Sequence, residues 1–182
     1  MVKENFLFAK KCISEELLSM KNQTACATGH RPQKLPWGFN EQDERFLRVR
    51  NITREEIINA IRNGYKYFIS GMALGFDIMF AEIVLELKQQ YDIHLICALP
   101  CKTQSKSWTA MQKERYNYIL KYADKVRCVF DTYTKWCMHE RNKYMVENSS
   151  LVFALYDGGS GGTKNTIEYA RKKGLKIIEI KP

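Results

Sequence analysis

The sequence contains no run of apolar residues near the ~20 that a membrane-spanning helix needs, so no span and no membrane partner are expected. Phe6-Leu7-Phe8-Ala9 is too short, and too soon interrupted by Lys10-Lys11, to form a signal-peptide core, which makes the cytosol the expected compartment. No C-x-x-C pair occurs among the cysteines Cys12, Cys26, Cys97, Cys101, Cys128 and Cys137. Cys137 and His139 stand two apart, a spacing that puts them on different faces of a helix. Neither a zinc site nor a disulfide framework is therefore expected, nor any other metal or cofactor. Cys26, Cys97 and Cys128 lie inside apolar runs, where a thiol acts as a small core hydrophobe. No internal repeat, low-complexity stretch or linker divides the chain.

What is present describes one folded unit. The 182 residues, 45% hydrophobic and 27% charged, fit a single domain over 1–182 with a real core. A net charge of +9 suits an anionic partner, whether nucleotide, nucleic acid or acidic protein. Because Lys and Arg are spread along the chain, a basic surface that is merely solvated accounts for the charge equally well.

Short apolar runs alternate with longer amphipathic ones, the pattern of a parallel sheet with helices on its faces. Strands are expected at 24–28, 67–69, 93–99 (closed by Pro100), 125–130, 151–156 and 175–180. Helices are expected at 76–87, 108–120, 134–148 and 163–173, the last stopped by Gly174. Another begins at the Thr53-Arg54-Glu55-Glu56 capping box, with Thr53 as N-cap, and stops near Gly64. Residues 1–21 read as an added helix and residues 30–51 as a long irregular connection. The expected fold class is α/β, Rossmann-like, with a mostly parallel sheet of about six strands and helices on both faces.

In an open parallel sheet, ligands bind beyond the carboxyl ends of the strands. The residues there are Thr28-Gly29-His30-Arg31-Pro32, the stretch from Ser70 to Asp77, Pro100 to Ser105, and Asp157-Gly158-Gly159-Ser160-Gly161-Gly162-Thr163. The last is the most informative. Its four glycines lie between a buried strand and a helix start, where backbone N–H groups and the helix dipole favour an anion; the bland reading is a flexible turn. Gly71 and Gly75 repeat that logic ahead of a helix, with Asp77 either a ribose ligand or a first-turn helix acid. Arg31 suits a phosphate through its fork of donors. His30 is a base, a phosphate donor or a loop anchor, and the sequence does not separate these. Trp37 and Phe39 either stack on a base or anchor the loop to the core.

Three of these motifs in this order, Thr28 to Pro32, Ser70-Gly71-Met72-Ala73-Leu74-Gly75-Phe76-Asp77 and Ser160 to Thr163, resemble the YpsA-like family of the SLOG superfamily, named for Smf/DprA and the "lonely guy" (LOG) phosphoribohydrolases. The resemblance runs from about Thr24 to the C-terminus. It implies a Rossmann-like fold and a nucleotide-type ligand held by Thr28, Gly29, His30, Arg31, Gly71, Met72, Gly75, Asp77 and the Asp157–Thr163 loop. Met138-His139-Glu140-Arg141 and Ala154-Leu155-Tyr156-Asp157-Gly158-Gly159 are similar to the MHER and ALPGG stretches of LOG enzymes, which cleave the base–ribose bond of nucleoside monophosphates. That match puts Arg141 on the catalytic arginine. The LOG acid falls three residues after the threonine of GGxGT, where this sequence has Thr166. The nearest helix acid is Glu168, about 200° away around a helix. The Ser70–Asp77 stretch also resembles the SGxAxGID motif of DprA, which binds single-stranded DNA.

The expected function is binding or sensing of a phosphate-bearing nucleotide or nucleotide-derived small molecule. An N-glycosidase using Arg141 and Glu168 is the alternative, and single-stranded nucleic-acid binding comes third. A homodimer is left open as the assembly.

Overall fold

The computed structural model describes residues 20–182, so nearly all of the helix expected over 1–21, and Cys12, lie outside the described residues. Alternate residues of a strand point to opposite faces. In β1 (Thr24–Gly29), β2 (Tyr67–Ser70), β3 (His94–Cys101) and β5 (Leu151–Leu155) apolar side chains occupy both faces. Phe153 and Leu155 enter the core on one side of the sheet, while Val152 and Ala154 enter the core on the other. Strands of that kind are stable only when helices cover both faces.

The coverage is divided accordingly. Helices α1 (Glu44–Arg62), α2 (Phe76–Leu87) and α3 (Ala110–Tyr122) contribute Val49, Ile57, Phe80, Ile83 and Ile119 to one core. Helices α4 (Cys137–Glu147) and α5 (Gly162–Lys172) contribute Met145, Val146, Ile167 and Ala170 to the other. With β4 (Lys125–Phe130) and β6 (Lys176–Ile180) at the edges, the strand order is β4-β3-β2-β1-β5-β6, and every pairing is parallel. This is the expected Rossmann-like α/β fold. From β1 the chain winds outward to β4, then returns to β5 on the opposite side of β1. The loops after β1 and β5 part at that switch, which opens a crevice at their carboxyl ends.

Three local expectations change. Thr53 is not an N-cap but a buried residue inside α1, its hydroxyl donating to the Val49 carbonyl four residues back at 2.7 Å. The helix starts earlier, at Asp43, whose carboxylate accepts the Arg45 N–H at 2.8 Å, because Phe46 and Val49 already belong to its buried stripe. The irregular connection after β1 is accordingly shorter than residues 30–51. Finally, Pro100 lies within β3 rather than closing it. Beyond Cys97 that strand has left its β2 partner, and a residue with no N–H is tolerated along a free edge.

The five described cysteines are free thiols, and burial pushes those of Cys26 and Cys97 up to about 12. Among the described residues no helix is long and apolar enough to cross a membrane.

Small residues in β1 let α2 come close. A Cβ on Gly29 would run into the Phe76 side chain at the start of α2. Gly75, just before α2, has φ +97°, and a Cβ there would sit 2.7 Å from the His30 carbonyl oxygen. The Gly29→Ala variant is expected to lose about 1–3 kcal/mol of stability, the range for overpacking a close contact. Urea denaturation of the two proteins measures this, and equal midpoints would show that α2 can retreat freely.

Candidate functional site

The crevice between the β1 and β5 loops holds a cleft of about 440 Å³. Its floor is the end of β1, Ala27 to Gly29. One wall is the His30–Lys34 segment, which turns through a short 3-10 helix at Pro32–Lys34. The opposite wall is the first turn of α5 with the Ser160-Gly161 approach, and Arg141 and Asn142 of α4 close the back. Gly161 precedes α5 with φ +136°, a conformation that L side chains rarely adopt. The first N–H groups of α5, at the cleft, have no intrahelical acceptor, and no side chain caps them.

Two contacts tie the walls together. His30, almost fully buried, donates from Nε2 to Asp157 Oδ1 at 2.7 Å. The Asp157 N–H lies 3.2 Å from the same nitrogen, but the ring proton belongs to the shorter, charge-assisted bond to the carboxylate. The same carboxylate oxygen accepts the Gly159 N–H at 2.7 Å and so shapes the glycine loop. These bonds, the Gly159 N–H first and His30 second, hold the Asp157 carboxyl below its ordinary range. Lys34 Nζ donates to the Ser160 carbonyl at 2.8 Å, which lashes the first loop to the last.

Arg141 is 5% exposed. Its Nη1 donates to the Gly71 carbonyl and stands 3.6 Å from Asp77 Oδ2, while its Nε donates to Asn142 Oδ1 at 2.8 Å. Burial pushes the Asp77 carboxyl above its ordinary value, while Arg141 and the Ala73 N–H, 3.3 Å from Oδ2, pull it back. The guanidinium fills the space a Cβ on Gly71 would need, which accounts for that glycine. Asn142 in turn donates to Thr166 Oγ1 at 2.9 Å, and Thr166 donates to the Gly162 carbonyl at 2.8 Å. A polar chain thus runs from the β2–α2 turn to the start of α5.

Of the residues singled out in the sequence, Thr28, Gly29, His30, Arg31, Asp77, Arg141, Ser160, Gly161, Gly162 and Thr163 line this cleft. Gly71, Met72, Gly75 and the Asp157–Gly159 segment do not line it. Met72 is wholly buried with φ +57°, its carbonyl receiving Gln104 Nε2 at 2.7 Å, so its side chain serves the core. Glu168 is exposed on α5, 3.9 Å from Lys164 and off the cleft wall, so the structure does not bring it together with Arg141. Thr166 lies buried one turn into α5, held by Asn142. Sequence reading passed over Lys34 and Asn142. Lys34 sits one short turn after Arg31, and only folding shows that its amine reaches the glycine loop. Among the described residues no three His, Cys, Asp or Glu side chains gather as metal ligands.

Comparison with known proteins agrees with this architecture. The sequence model of YpsA, described as the YspA SLOG family, matches residues 25–179. The chain belongs to the YpsA SLOG family. It is 37% identical over 131 residues to the uncharacterized SPbeta prophage-derived protein YoqJ of Bacillus subtilis (strain 168), covering 65% of this chain and 75% of YoqJ. The structure is similar to that of DNA processing protein A (DprA) from Streptococcus pneumoniae, with a TM-score of 0.61 and 16% identity. That match covers 90% of this chain but 51% of the pneumococcal one, so this chain spans about half of that structure. DprA from Helicobacter pylori, described for its single-stranded DNA binding mode, gives a TM-score of 0.60 at 17% identity, over 90% of this chain and 67% of that one. At these identities the structural likeness speaks for the fold.

The Asp157 bonds make a pH prediction. A carboxyl held below its unfolded value contributes stability that is complete above about pH 3.9 and is lost as the pH falls through its lower native pKa. Thermal melts of the parent and Asp157→Ala across pH 2–7 are therefore expected to differ by a constant gap at neutral pH that narrows only below about pH 4. A gap that closes between pH 7 and 5 would show that another group is responsible.

Proposed function

We propose that this protein binds a phosphate-bearing nucleotide or nucleotide-derived small molecule, with the phosphate against the first turn of α5. Arg31 carries the reading. It lies exposed on the cleft wall, and its guanidinium makes no hydrogen bond or ion pair among the described residues. It shares that cleft with a helix N-terminus that no side chain caps. A planar cation with five donors next to uncapped N–H groups is suited to a phosphate's oxygens. Lys34 adds a second positive charge at the rim. Membership of the YpsA SLOG family agrees with a nucleotide-type ligand.

Gly162 offers a clean test. Gly162 lines the cleft and a Cβ there meets nothing within 4 Å, so a side chain adds bulk at the cleft wall without displacing a neighbour. Gly162→Val is expected to keep the parent's melting temperature and to lose tenfold or more in affinity for nucleoside monophosphates by calorimetry, about 1.4 kcal/mol. Arg31→Ala is expected to cost about 1.5–3 kcal/mol for a phosphorylated ligand and almost nothing for the corresponding nucleoside. Parent-like affinity in both variants would sink the phosphate site.

The placement of Arg141 and Glu168 supports binding over turnover. Arg141 is engaged with Gly71 and Asp77, and no carboxylate stands where Thr166 does. In a single-turnover assay with excess protein and AMP, no adenine release is expected. Rapid release, lost in Arg141→Ala, would instead establish an N-glycosidase.

A further inference from the structure

The phosphate cleft does not end at Arg31. A second chamber of about 510 Å³ opens beside it, and the two share Arg31, Gln33, Ala73 and Met138. The second chamber differs in character, because Arg31 at the junction is the one charged residue lining it among those described. Three aromatic rings stand around it, each from a different strand-end loop: Phe39 after β1, Trp108 after β3 and Tyr133 after β4.

Phe39 is 57% exposed and Tyr133 66% exposed. Neither ring packs on another aromatic among the described residues, whereas Trp108 is held edge-on by Tyr116 at 5.2 Å. The contrast with Trp37 is informative. Two residues before Phe39 in the same loop, Trp37 is 7% exposed and packs edge-on against Phe46. The anchoring of the loop is therefore accomplished by Trp37, and Phe39 is free for another use. The wall also holds the amide of Gln104. Gln104 Nε2 is committed to the Met72 carbonyl at 2.7 Å, and its buried Oε1 has no hydrogen-bond partner. Exposed flat rings around a chamber with a single positive charge suit a planar heterocycle.

We propose that the second chamber holds the base of a nucleotide whose phosphate lies in the first, with Phe39 and Tyr133 stacking on the ring and Arg31 at the joint. This rests on the phosphate reading above and narrows the ligand class. The protein selects a nucleotide bound in extended form over inorganic phosphate or a sugar phosphate. Together the two chambers have room for a ligand that spans both, within the size range of small-molecule sites.

Calorimetric titration of the full chain with the four ribonucleoside 5′-monophosphates and with ribose 5-phosphate tests this. The parent is expected to bind at least one nucleotide more tightly than ribose 5-phosphate. Phe39→Ala and Tyr133→Ala, both surface changes, are expected to keep the parent's melting temperature. They should weaken that nucleotide about tenfold or more, the effect of removing a stacking ring, and leave ribose 5-phosphate unchanged. Equal parent affinities for nucleotide and ribose 5-phosphate would overturn the base subsite while leaving the phosphate site intact. So would alanine variants that bind the nucleotide as the parent does, or that lose both ligands equally. Failure of the parent to bind any of the five compounds would overturn the phosphate reading itself.

Discussion

A guanidinium taken out of water has to be matched where it is buried, and that requirement organises the back of this cleft. Arg141 reaches from α4 across the end of the sheet to the Gly71 carbonyl and the Asp77 carboxylate. Removing one partner of such a pair is costly because the other charge is then left buried alone. The position of Gly71, with no Cβ in the guanidinium's path, follows from this contact. So does the direction of the polar relay through Asn142 and Thr166 to the first turn of α5. The two halves of the sheet, wound in opposite directions from β1, are fastened there by side chains as well as by strand pairing.

The front of the cleft is fastened separately. His30 to Asp157 and Lys34 to Ser160 both run from the β1 loop to the β5 loop. One joint uses a buried imidazole and fixes the loop's shape. The other uses a lysine at the rim, where a flexible stem and a point charge adjust to what arrives. Arg31 lies between them, its guanidinium making no hydrogen bond or ion pair among the described residues. Among the described residues, two joints thus flank one unpaired guanidinium at the front of the cleft.

Most of the fold was legible because its strands are nearly pure apolar runs and its helices are punctuated by caps and glycines. β4 at 125–130 and α2 at 76–87 were read at the boundaries observed. The Thr53 capping pattern misled because Thr–x–x–Glu also fits a helix interior, where the hydroxyl turns back to the preceding turn. Within the cleft, strand-end position picked out His30, Arg31 and the Ser160–Thr163 loop, since topology alone brings those loops together. It did not distinguish cleft-lining residues from supporting ones. Met72 and Gly75 share a motif with Asp77, yet a wholly buried side chain and a helix-start packing contact set them apart. Lys34 had no local pattern to mark it, because its partner Ser160 is distant in sequence.

The walls of the cleft come together only late along the chain. His30 and Asp157 are separated by 127 positions along the chain, and Lys34 and Ser160 by 126. Contacts of such span close large loops and cannot form from either end of the polypeptide alone. Nothing resembling the cleft exists on a fragment that stops at β4, and the β5 loop by itself offers no counter-wall. The cleft is therefore a property of the completed domain. A ligand that binds there stabilises the native state as a whole by RT ln(1 + [L]/Kd), coupling the β1 and β5 loops through the whole domain.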